Sequence, residues 1–125
     1  MITRLITVCA LAMPALAHAD KTYTDGKGGS WDCKKDHTVN INIGKGKFTL
    51  AGPCKTVNIN GDGNRVTIAA TGDLNISGAA NKVDAGTVDA ITIQGTDNRV
   101  TWKKGDSADH PAIKTDGKGN KVSKR

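Results

Sequence analysis

Four cations recur at nearly constant intervals along the chain: Arg65, Lys82, Arg99 and Lys121, with steps of 17, 17 and 22 residues. If the backbone repeats with that period, they stand in one exposed column, about 4.8 Å apart on stacked strands. Adjacent unit charges at that spacing repel by roughly 0.9 kcal/mol even at the dielectric constant of water, and by less once side chains fan out and salt screens them. A linear row of cations suits a linear row of anions, such as the phosphates of a lipopolysaccharide or the acidic groups of a glycan. The same row also serves as a solvated ladder that discourages sheet association, and spacing alone leaves both readings open.

Catalysis has less to work with. All 12 acidic residues are Asp. A glycosidase-like carboxylate pair would therefore have to come from residues such as Asp84, Asp89, Asp106 and Asp109. No Ser sits in a nucleophile elbow, and beyond the leader only His37 and His110 remain, without metal-ligand spacing. The expectation is a protein that is not an enzyme, with no cofactor and no metal. The alternative is a small polysaccharide-active enzyme using Asp. Nucleic acid is not expected as a partner, because exposed aromatics for base stacking are missing among Tyr23, Trp31, Phe48 and Trp102, despite a net charge of +6.

The elements that position these residues follow from an internal repeat. Gly61-Asp62-Gly63-Asn64-Arg65-Val66 returns as Gly78-Ala79-Ala80-Asn81-Lys82-Val83, as Gly95-Thr96-Asp97-Asn98-Arg99-Val100 and as Gly117-Lys118-Gly119-Asn120-Lys121-Val122. Short alternating runs precede the first three glycines: Val57-Asn58-Ile59, Leu74-Asn75-Ile76 and Ile91-Thr92-Ile93. Weaker copies lie further back, at Val39-Asn40-Ile41 leading into Phe48 and Leu50, and at Gly26 to Cys33. One inward column then reads Trp31, Phe48, Val66, Val83, Val100, Val122, and its companion reads Cys33, Leu50, Ile68, Ala85, Trp102, Lys124. A unit this short cannot bury its own apolar face, so the units must stack. β-branched residues at every second position suit the pleated, half-buried surface that results. The predicted fold is all-β: a small parallel β-solenoid of about six rungs, of undecided handedness. An antiparallel sandwich would not need the same turn residues every 17 positions.

Outward positions in this register form two further columns, Asn40, Asn58, Asn75, Thr92, Lys114 and Asn42, Asn60, Ser77, Gln94, Asp116, which read as polar strand exterior or as a sugar-binding face. The glycines Gly61, Gly78, Gly95 and Gly117 and the asparagines Asn64, Asn81, Asn98 and Asn120 read as structural turn ladders. Asn tolerates left-handed backbone, and its amide can bond to the next rung. At the chain's end, Thr115 and Lys124 replace core residues, and Lys at an edge blocks further strand addition. End-to-end scaffolding is thereby disfavoured, and a monomer is expected.

Residues 1–19 have the layout of a signal peptide: Arg4, an apolar run from Leu5 to Leu16, and Ala17-His18-Ala19 before the cleavage point. The run is too short to span a bilayer, and no other segment is a transmembrane candidate. Residues 20–125 are then a single solenoid domain, periplasmic or secreted. Cleavage removes Cys9 and leaves Cys33 and Cys54, an even pair that reads as a disulfide in an oxidising compartment.

The recurring Ile-x-Gly-x-x-Asn-[Arg/Lys]-Val units, from about Val57 to Val122, resemble family 3060 of the bacterial domains of unknown function. That resemblance implies a small exported repeat protein and brings no catalytic or binding residues with it. Taken with the cationic column, it points to an exported, non-catalytic module of the cell envelope whose ligand is an anionic glycan or lipopolysaccharide.

Overall fold

The computed structural model describes residues 21–34, 37–105 and 110–125. The expected leader lies outside the described residues, as do Asp106 and Asp109. The described residues form nine strands: β1 (Lys21–Tyr23), β2 (Gly28–Asp32), β3 (Thr38–Ile41), β4 (Lys47–Asn60), β5 (Arg65–Ala79), β6 (Lys82–Thr96), β7 (Arg99–Lys104), β8 (Ala112–Asp116) and β9 (Lys121–Lys124). Every strand pair is parallel. Among the described residues no helix is long and apolar enough to cross a membrane.

The chain is an all-β parallel solenoid with two main faces. On the first face β2, β4, β5, β6, β7 and β9 stack in that order. On the second, β1, β3, β4, β5, β6 and β8 do the same. β4, β5 and β6 are long because each runs across the first face, turns through a short wall and continues along the second. Each face thus holds six levels, which at the usual strand spacing span about 24 Å.

Alternation in the sequence becomes burial in the structure. Phe48, Val66, Val83 and Val100 stack inward from the first face, with Leu50, Ile68, Ala85 and Trp102 beside them. Val39, Val57, Leu74 and Ile91, with Ile41, Ile59, Ile76 and Ile93, come in from the second. The two sets meet in one core. Each fully buried aliphatic side chain contributes about 1.5–3 kcal/mol, so a few per level, multiplied along the column, suffice. The Cys54, Thr71 and Val88 column closes the short wall.

The ends are finished differently. At the N-terminal end Tyr23 tilts against Phe48 at 4.9 Å between ring centroids, and the Lys21 ammonium lies 4.9 Å from the Tyr23 ring and 4.8 Å from the Trp31 ring. Burial raises the Tyr23 phenol above its ordinary pKa. At the other end Lys124 crosses Trp102 at 5.7 Å, and all of β8 is exposed, Ile113 to 46%.

Cys33 and Cys54 form a disulfide with 4.9 Å between Cα atoms, 21 residues apart in sequence. In the chain-entropy model a loop of that size stabilises by about 3 kcal/mol. It ties the smallest, most aromatic level to the regular stack above it.

One expected register is corrected. Trp31 pairs with Leu50 and Gly29 with Phe48, so neither Trp31 over Phe48 nor Cys33 over Leu50 holds. The first level is offset by 19 residues and not 17, since Gly28 pairs with Lys47. The extra length lets Cys33 pass beyond the end of β2, where its N–H donates to the Ala51 carbonyl at 2.9 Å, and the thiol reaches the wall that holds Cys54. Disulfide geometry, and not the repeat, sets the register there.

Candidate functional site

The corner between the second and first faces places every residue of the cationic column. In each regular level it reads Gly-x-x-Asn-[Arg/Lys], with the Asn buried to about 1% exposure at Asn64, Asn81 and Asn98. Each of these side chains reaches back one level. The Asn81 Oδ1 accepts from the Asn64 N–H at 3.0 Å, while its Nδ2 donates to the Gly61 carbonyl at 2.8 Å. Asn98 does the same for Asn81 and Gly78, and Asn120 for Asn98 and Gly95. Asn64 closes the series on Gly46 and Ile43. Direct amide-to-amide bonds, Asn81 to Asn98 at 3.1 Å and Asn98 to Asn120 at 3.0 Å, accompany this backbone capture. A buried amide without partners would be costly, and here each one satisfies two backbone groups that the turn leaves over.

The backbone carbonyls of these asparagines then fix the cations. Lys82, Arg99 and Lys121 donate their N–H groups to the carbonyls of Asn64, Asn81 and Asn98 at 2.8 Å each. Directly beyond the ladder, Arg65, Lys82, Arg99 and Lys121 pair in register and point to solvent. Lys47 pairs with Arg65 and is exposed as well, so the column has a fifth member that lies outside the repeated motif. In that level Gly46 stands where the others have Asn, which hid the match. Among the described residues none of these five is in an ion pair with a carboxylate.

Two residues further along each strand runs a second outward column: Thr49, Thr67, Asp84, Thr101 and Ser123. A hydroxyl therefore flanks the cation in four of the five levels. Asp84 is the exception and is already engaged, with Arg125 Nε at 2.9 Å and the Thr101 hydroxyl donating to it at 3.1 Å. The third outward column begins with the small residues Ala51, Ala69 and Gly86 and continues with Lys103 and Arg125, so the strip is open on that side at its first three levels and bordered by cations at the last two.

The corner also carries a run of left-handed backbone. Lys45, Gly63, Ala80, Asp97 and Gly119 occupy equivalent places, with φ of 57°, 72°, 57°, 58° and 77°. An L-residue pays about 1–2 kcal/mol for that conformation. Ala80→Gly should therefore stabilise the protein by about 0.5–1 kcal/mol, after allowing for the looser unfolded chain. Urea unfolding of the two proteins checks the sign, and a destabilised variant would show that the Ala80 methyl contributes more than its backbone costs.

On the second face the outward amides also form a ladder. Asn75 donates to Asn58 at 2.9 Å, Asn58 to Asn40 at 2.8 Å, and Asn60 to Asn42 at 3.0 Å. A shallow depression of about 310 Å³ lies between Asn60, Asn75, Ser77, Thr92 and Gln94. Its amides spend much of their capacity on one another. Of the Asp candidates for catalysis, Asp84 is ion-paired and Asp89 lies five residues later in β6. Among the described residues no group of three or more His, Cys, Asp or Glu side chains is arranged to hold a metal ion.

Compared with known families, residues 59–119 match the model described as "Protein of unknown function (DUF3060)", which covers the three most regular levels and the corner motif itself. No curated protein and no solved structure matches the chain.

Proposed function

We propose that the protein is an exported, non-catalytic β-solenoid of the cell envelope, periplasmic or secreted, that binds an anionic glycan or lipopolysaccharide through its cationic column. The observation that carries this is the in-register stack of Lys47, Arg65, Lys82, Arg99 and Lys121, held at strand spacing by the asparagine ladder and left without carboxylate partners among the described residues. Five cations in a line repel one another, and an anion laid along them relieves that repulsion at every level. The internal disulfide fits an oxidising compartment, and a signal peptide at residues 1–19, as the sequence pattern leads one to expect, would supply the route there.

Charge reversal at the centre of the column tests the reading. The double variant Lys82→Glu, Arg99→Glu should lose retention on an immobilised acidic polysaccharide or lipopolysaccharide at about 0.15 M salt, and wild-type retention should fall steadily as salt rises. Both side chains are exposed, so the unfolding midpoint should move little. Retention unchanged by the double reversal would place the ligand, if any, elsewhere.

A further inference from the structure

We infer that the ligand of this column is a linear polyuronate lying parallel to the solenoid axis, one carboxylate to each level. The inference rests on the proposal that the column is a ligand surface, and names the class of anion it takes. Three features carry it. The cations are spaced evenly and in a single line, about 4.8 Å apart over about 19 Å from Lys47 to Lys121. In a 1,4-linked polyuronate one carboxylate recurs with each pyranose ring, and one ring is close in length to one strand spacing. Successive rings turn their carboxylates to different sides of the chain, and the long, flexible Lys and Arg stems are what lets a single column serve both sides. A disaccharide headgroup with a phosphate at either end has its charges two rings apart and meets only part of the column.

The second feature is the hydroxyl column of Thr49, Thr67, Thr101 and Ser123 beside the cations. Every level except that of Lys82, where Asp84 stands, thus offers a cation and a hydroxyl two residues apart, matching the carboxylate and the neighbouring ring hydroxyl of one sugar residue. At the first three levels the small side chains of Ala51 and Ala69 and the bare backbone at Gly86 leave room for the ring on the far side, and at the last two Lys103 and Arg125 border it with further cations.

The third is the treatment of Asp84, the one acid within the strip. Arg125 is held against it at 2.9 Å, reaches the Ala85 carbonyl with its other nitrogen at 3.4 Å, and donates its own N–H to Trp102. The guanidinium cancels the carboxylate at the level where it would otherwise repel a passing polyanion. Arg125 is therefore a positioning residue for the anion, acting through Asp84.

Titration calorimetry with oligogalacturonates of two to seven residues tests this. Affinity should rise about two- to fivefold with each added residue, the range expected of one exposed ion pair, and level off beyond five. Arg125→Ala should weaken binding of the pentamer about threefold, and Asp84→Thr, which completes the hydroxyl column, should strengthen it. Arg125→Ala in the Asp84→Thr background should then have little effect, because the guanidinium has no acid left to mask. A flat length profile, or an Arg125→Ala penalty that persists when Asp84 is Thr, overturns the inference. If the bisphosphorylated disaccharide headgroup of lipopolysaccharide binds as tightly as the pentamer, the polyuronate is wrong while the cationic column stands as the ligand surface. If neither probe binds, both readings fall together.

Discussion

Replacing Asn98 by alanine should cost the protein about 3–5 kcal/mol, a large part of the 5–15 kcal/mol typical of a domain. The loss has identifiable parts. The buried N–H of Asn81 loses its acceptor, and the Gly78 carbonyl loses its donor. The Asn81 and Asn120 amides, which share the Asn98 side chain, each lose a partner as well. Water cannot easily replace these bonds, since Asn98 is about 1% exposed. The companion variant Asn75→Ala removes one bond of the outer ladder, from a half-buried side chain, and should cost under about 1 kcal/mol. Urea midpoints compare the two, and amide exchange at Asn81 should accelerate in Asn98→Ala alone. Equal losses for the two variants would mean that the inner ladder satisfies nothing the solvent cannot.

The largest effect is expected at Gly95. Its φ of +142° disfavours any L side chain, and a Cβ there would fall on the Gly78 carbonyl, a backbone atom with nowhere to go. That carbonyl is also the acceptor of the Asn98 amide. Gly95→Ala should therefore force apart two levels at the point where they are stitched, and lose more than about 4 kcal/mol or fail to fold. Gly63→Ala is the control. Its φ is +72°, and the nearest atom to an added Cβ is the Lys45 Cγ at 3.4 Å, so the cost should be only the left-handed backbone, about 1–2 kcal/mol. Because Gly95 and Asn98 act on one carbonyl, the combined Gly95→Ala, Asn98→Ala variant should lose less than the sum of the two, if either single variant folds well enough to measure. A tolerated Gly95→Ala would show that neighbouring levels can separate locally without loss of the fold.

The solenoid, its levels and its two faces were legible because a parallel stack demands the same residue type at the same place, level after level. Gly-x-x-Asn-[Arg/Lys]-Val records a close carbonyl, a reach-back amide and a pointing cation in consecutive letters. Legibility failed where the period breaks. The 19-residue offset from Gly28 to Lys47 is set by the need of Cys33 to reach Cys54, and no turn motif marks it. Lys47 falls outside the motif because Gly46 takes the place of Asn, although Phe48 stands in the same column as Val66. The ion pair of Asp84 with Arg125 joins residues 41 positions apart in sequence, the last lying past the end of β9. Nothing in the local pattern of either residue announces it.

The asparagine ladder has a direction, because every carboxamide serves the level before its own. A chain growing from its N-terminus therefore meets its obligations in order: each newly emerged turn completes the one already laid down, and none waits on a distant partner. The contacts that close a level come from 17 to 25 residues downstream, a short and nearly uniform delay. Such a polypeptide can crystallise onto itself as it is made. At every stage the unmet donors are confined to its leading edge.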